Sequence, residues 1–93
     1  MLRDVVSVQP LSEYRIRVAF DDGVEGIVSV RGLVPFSGVF EPLKDVAFFE
    51  RVNVNAELGT VRWPNDADLD SDVLYAKVTG TPIPDYLTVR KMP

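Results

Sequence analysis

Apolar and polar residues alternate along two stretches of the chain, and the alternation predicts most of its strands. Tyr14, Ile16, Val18 and Phe20 take every second position, with Arg15, Arg17 and Ala19 between them. After Asp21-Asp22-Gly23 the same period resumes at Val24, Gly26, Val28 and Val30. A period of two sends successive side chains to opposite faces of a strand, so the pair reads as a β-hairpin. Its register follows from the faces. A two-residue Asp22-Gly23 loop would set Phe20 opposite Glu25 and Ile16 opposite Ser29, mixing apolar with polar. A three-residue loop sets Phe20 opposite Val24, Val18 opposite Gly26, Ile16 opposite Val28 and Tyr14 opposite Val30. The large apolar residues of both arms, Ile27 excepted, then share one face, which a one-residue slip would expose. The sequence therefore predicts the three-residue loop with a left-handed Gly23. Residues 2–9, with Val5, Val6 and Val8, read as a further strand. A turn at Pro10-Leu11-Ser12-Glu13 joins it on and completes a three-stranded meander.

The second alternating stretch is shorter. Val52 and Val54 alternate with Asn53 and Asn55, and Val61 and Trp63 with Thr60 and Arg62. A four-residue loop, Ala56-Glu57-Leu58-Gly59, sets Val54 opposite Val61 and Val52 opposite Trp63. Between the hairpins, residues 31–44 carry two glycines and two prolines, which break regular structure. Leu33, Val34, Phe36, Val39, Phe40 and Leu43 are nevertheless apolar, so this loop is expected to be pinned to the core. Asp45 suits the cap of a short helical turn over residues 46–50. Trp63 precedes Pro64, which favours an extended backbone, and Pro64-Asn65 suits the centre of a turn. Asp70 is a natural N-cap, Asp72 complements the helix dipole, and Gly80 ends the helix that follows.

The expected fold is α+β. An antiparallel sheet is built from the three-stranded meander plus the second hairpin, with a short helix near 45–50 and a helix near 71–79 packing on it. Residues 1–80 read as one domain and 81–93 as an extended C-terminal tail. A strand-like tail can add to a sheet edge of its own chain or of a neighbour, so a homodimer through the tail or an edge strand is one expectation.

Composition narrows the function. Hydrophobic residues make up 46% of the 93 residues, enough for one modest core without disulfides. Cysteine and histidine are both absent. This removes thiolate and imidazole metal sites, the commonest general base, and the Ser-His-Asp and Cys-His arrangements. The net charge is −4 and the ten basic residues are scattered, so autonomous nucleic-acid binding is not expected. A basic protein partner is electrostatically easier. Neither a signal peptide nor an apolar run of membrane-spanning length is present, so the expected location is cytoplasmic, with no membrane association.

Candidate chemistry centres on Asp66, Asp68, Asp70 and Asp72. In an extended backbone these four would point one way, about 7 Å apart, and could recruit a hard cation such as Ca²⁺. The spacing departs from an EF-hand loop where that loop is strictest, with Ser71 at its glycine position and Lys77 at its bidentate glutamate. Turn, cap and dipole roles account for each aspartate without an ion. No catalytic residue, metal ligand or cofactor is therefore assigned, and a metal site or carboxylate-dependent enzyme on Asp66–Asp72 stands as the alternative. Trp63, Asn65, Asp66, Asp68 and Tyr75 are the candidate binding residues. Trp63 itself reads first as core and second as an interface anchor. Phe36, Phe40, Phe48 and Phe49 fill the core or line a groove.

Several of these segments together carry a resemblance. They are Tyr14 to Gly23, Gly26-Ile27-Val28, Phe40-Glu41-Pro42-Leu43-Lys44-Asp45 with Phe49, and Gly59-Thr60-Val61-Arg62-Trp63-Pro64-Asn65. Ala67-Asp68-Leu69 and Leu74-Tyr75 complete the set. The chain resembles, over roughly residues 3–77, a bacterial domain-of-unknown-function family of small proteins. The resemblance implies an α+β fold on antiparallel strands and no assigned catalytic residues. It also implies gene contexts like those of toxin–antitoxin pairs, some relatives carrying a C-terminal helix-turn-helix domain. Asp66 stands where that pattern has glycine, which requires Asp in a left-handed conformation. The thirteen residues after Gly80 are too few for a helix-turn-helix domain. The expected function is a small non-catalytic protein-binding or regulatory module, antitoxin-like in its most specific form. Its partner would be a basic protein, such as the product of a neighbouring gene.

Overall fold

Strand β1 (Val5–Leu11), β2 (Arg15–Phe20) and β3 (Glu25–Ser29) form an antiparallel meander in that order. The computed structural model describes residues 4–80. The strand expected at Leu2 and Arg3 and the tail expected at 81–93 lie outside the described residues. The first hairpin has the register that burial demands. Ile16 pairs with Val28 and Val18 with Gly26, while the Phe20 N–H donates to the Val24 carbonyl at 2.8 Å. Gly23 turns the loop at φ 89°, and Asp22 Oδ1 accepts from the Val24 N–H at 3.0 Å.

The turn expected at Pro10–Glu13 forms later in the chain. β1 runs on through Pro10 and Leu11, which pair with Ile16 and Arg15. Proline is tolerated because β1 is an edge strand of this sheet and a missing N–H there breaks no ladder. The chain reverses instead at residues 12–14, with Glu13 at φ 61° and Tyr14 at φ 58°. Val30 also departs from its expected strand. It opens a one-turn helix, α1 (Val30–Leu33), because the Ser29 hydroxyl accepts from the Gly32 N–H at 3.2 Å. Its N–H still donates to the Tyr14 carbonyl at 2.9 Å, so the anticipated neighbour is kept.

The proline- and glycine-rich connection contains a 3-10 helix at Gly38–Lys44, pinned by fully buried Leu43. Helix α2 (Val46–Phe49) follows, and Asp45 Oδ1 caps it through the Ala47 N–H at 3.0 Å. Strands β4 (Asn53–Asn55) and β5 (Thr60–Arg62) make the second hairpin, with Val54 opposite Val61 as expected. A short strand that the alternation did not reveal, β6 (Asp68–Leu69), pairs with β5 through Leu69 and Val61. The strands thus form two three-stranded antiparallel sheets, β1-β2-β3 and β4-β5-β6. The Val5 N–H donates to the Gly59 carbonyl at 2.9 Å and joins β1 to the second hairpin.

Helix α3 (Ser71–Thr79) is capped by Asp70, whose Oδ1 accepts from the Asp72 N–H at 2.7 Å, and stops at left-handed Gly80. It lies over β3, where Gly26 leaves room for Val78. Both sheets and α3 share one core. Ile16, Val18, Phe20, Val30, Leu43, Phe49, Val61, Trp63 and Leu74 are each at most 2% exposed. Burying side chains of this size contributes about 1.5–3 kcal/mol apiece. Among the described residues no helix is long and apolar enough to cross a membrane.

Candidate functional site

The segment from Trp63 to Asp70 carries most of the candidate binding residues, and its polar groups are consumed by its own turn. The Asp66 N–H donates to the Trp63 carbonyl at 2.9 Å, which closes a turn with Pro64 and Asn65 at its centre. The Trp63 N–H in turn donates to the Ala67 carbonyl at 2.9 Å. Asp66 takes the left-handed conformation at φ 69°. Asn65 works in two directions. Its Oδ1 accepts from the Ala67 N–H at 3.2 Å, and its Nδ2 donates to the Val39 carbonyl at 2.8 Å, clamping the 3-10 segment. Ala67 and Leu69 then point into the core.

Trp63 is fully buried, and its Nε1–H donates to the Phe49 carbonyl at 2.9 Å. Its ring lies 5.9 Å from that of Phe49. The core reading of the indole holds, and as an interior residue it offers no surface to a partner. Asn65, Asp66, Asp68 and Asp70 are exposed. The extended ladder needed for a cation does not form, because left-handed Asp66 breaks it and Asp70 turns to cap α3. Among the described residues no group of three or more carboxylates could hold a metal ion.

Tyr75 connects this segment to the first hairpin. Its hydroxyl donates to Asp22 Oδ2 at 2.7 Å, and its ring meets Phe20 edge-on at 5.0 Å. The Asp21-Asp22 turn is thereby tied to the middle of α3. An exposed aspartate pair thus marks the C-terminal end of β2.

The opposite end of β2 has the opposite character. Tyr14, Arg31, Pro35, Phe36 and Lys44 line an open cavity of about 320 Å³. The Tyr14 ring stands edge-on to Phe36 and to Phe49, both at 5.2 Å, and its hydroxyl donates to the Lys44 carbonyl. The Arg31 guanidinium lies 5.1 Å from the centre of the Tyr14 ring. The sequence left Phe36 between core and groove and did not assign Tyr14, Arg31 or Lys44. A turn with two consecutive left-handed residues and no glycine leaves no composition signal, so the meeting of these three was hidden.

Comparison with known proteins adds the family level. The sequence model of a family described as "Protein of unknown function (DUF2442)" matches residues 5–80. No curated protein and no solved structure matches the chain.

Proposed function

We propose, for a chain that belongs to the DUF2442 family of proteins of unknown function, a role as a small non-catalytic module that recognises a basic protein partner. The observation that carries this reading is the Tyr75–Asp22 hydrogen bond. It ties the Asp21-Asp22 turn to α3, the helix that exposed Asp66, Asp68 and Asp70 precede, and on this reading those acids together with Asp21 form the docking face. A single exposed ion pair contributes little, about 0–1 kcal/mol. Several like charges on one face instead raise the association rate and select against acidic partners. The most specific form of the proposal is antitoxin-like, with the partner encoded by a neighbouring gene.

The test is direct. The neighbouring gene product is purified with this chain, and association is followed by stopped-flow at low and high salt. Reversing Asp66 and Asp68 together to lysine should slow association about tenfold at low salt and flatten the salt dependence. A neighbour that does not bind, or one that binds the reversed protein at an unchanged rate, overturns the reading.

A further inference from the structure

We propose that the cavity between Tyr14, Arg31, Pro35, Phe36 and Lys44 binds a small aromatic carboxylate. Its volume, about 320 Å³, stands at the lower end of ligand pockets and suits one ring with a short acidic arm. The wall is apolar, made by Pro35 and by the edge-to-face pair of Tyr14 and Phe36. Among the described residues both charged groups in the lining are cationic, and no carboxylate lines the cavity. Among the described residues neither Arg31 nor Lys44 has an ion-pair partner. In a chain of net charge −4, two cations around an apolar hollow run against the average surface.

The geometry also favours an anion with a flat body. A guanidinium placed over a ring keeps its N–H donors around its rim, where a carboxylate accepts two of them side by side. The Lys44 ammonium supplies a second, less directional charge. An aromatic ring fits against Phe36 and Pro35, whereas a cationic ligand would meet two like charges.

The cavity is formed before any ligand arrives. Tyr14 occupies the left-handed region at φ 58°, a conformation that a bulky residue keeps only when its surroundings hold it. Three contacts do so here: the Val30 N–H on its carbonyl, its hydroxyl on the Lys44 carbonyl, and its ring between Phe36 and Phe49. A ring so fixed loses little freedom on binding. The site lies at the opposite end of β2 from the acidic face. β2 has six residues, about 20 Å at 3.3 Å per residue, so the two surfaces can act independently.

Titration of the whole protein with phenylacetate, phenylacetamide and acetate, followed by backbone amide shifts, tests the proposal. Phenylacetate should bind at least about tenfold tighter than its uncharged amide and than ringless acetate, with shifts centred on Tyr14, Arg31, Phe36 and Lys44. Arg31→Gln and Lys44→Gln change exposed side chains, so an unaltered amide fingerprint elsewhere confirms folding. Each should weaken phenylacetate severalfold, and Asp68→Asn should leave it unchanged. If the acid binds no better than the amide or acetate, or binds equally to Arg31→Gln, the proposal fails. The ligand comparison on the unaltered protein decides this even if a variant unfolds. Its failure would leave the acidic-face reading standing, since neither probe nor variants touch that surface.

Discussion

Replacing Gly59 with alanine should be among the most damaging single-methyl changes in this protein. Gly59 closes the β4–β5 loop at φ 70° and its carbonyl receives the Val5 N–H, so it is the hinge between the two sheets. Two penalties arise. A left-handed L-residue costs about 1–2 kcal/mol. The new methyl would also stand 2.8 Å from Asp4 Cβ, closer than real carbons approach. Rotating the Asp4 side chain moves its carboxylate away but leaves Cβ where it is. The backbone entering β1 must therefore shift, although it is tied down by the Val5 bond and by Asp4 carbonyl acceptance from the Asp21 N–H at 2.9 Å. Such crowding costs about 1–3 kcal/mol. The sum, about 2–5 kcal/mol, is a large share of the 5–15 kcal/mol of a typical domain. Urea unfolding followed by Trp63 fluorescence measures it, because the indole is fully buried. The decisive arm is a double-mutant cycle with Asp4→Gly. That change deletes the opposing Cβ, so only the left-handed penalty should persist and the two changes should be non-additive by about 1–3 kcal/mol. Strict additivity would refute the claim that Asp4 and Gly59 are in steric contact.

Trp63→Ala should cost about 3–5 kcal/mol in the same assay, read by circular dichroism. Trp63→Phe should cost less, about 1–2 kcal/mol, because the Phe49 carbonyl keeps the Val52 N–H at 3.2 Å when the indole donor is lost. Asp66→Ala should destabilise by about 1 kcal/mol and Asp66→Gly should be neutral or stabilising, since the left-handed φ of 69° favours glycine. Calorimetric melting of the pair checks the order, and the reverse order would mean the turn adapts. Asp70→Ala should lose about 1 kcal/mol with the cap on the Asp72 N–H, while exposed Asp68→Ala stays within about 0.5 kcal/mol. Equal losses at the two positions would remove the cap argument.

These outcomes depend on features that differ greatly in how visible they were in the sequence. The register of the first hairpin was legible, because only one loop length buries Ile16, Val18, Phe20 and Val28 together. The caps at Asp45 and Asp70 were legible because an aspartate that begins an apolar helix has little else to bind. Pro10 misled, since proline suggests a turn unless the strand is known to be an edge, and edges are a property of the assembled sheet. β6 was hidden because two residues cannot show a period, and their pairing with β5 depends on the turn before them. The same turn separates the candidate residues. Asn65 and Trp63 were selected for being unusual, and both are unusual because the fold uses their side chains.

That distinction bears on where function should be sought. The Asn65 amide has both its ends bound within the chain, and the Trp63 N–H is spent inside the core. The folded state therefore suffices to explain why these residues stand where they do. At Lys44 the bond among the described residues is to the backbone carbonyl, which any residue would supply to the Tyr14 hydroxyl. Arg31 belongs to a helix of a single turn and lies exposed against a tyrosine ring. A cation over a ring at an exposed position contributes about 0.5–1 kcal/mol, too little to require arginine for stability. Among the described residues their charged ends have no ion-pair partner, and they meet over an apolar hollow held open by a strained tyrosine. Chemistry that the fold does not consume is what remains for a ligand, and in this protein it gathers at the β1–β2 turn, away from the segment that the sequence makes most conspicuous.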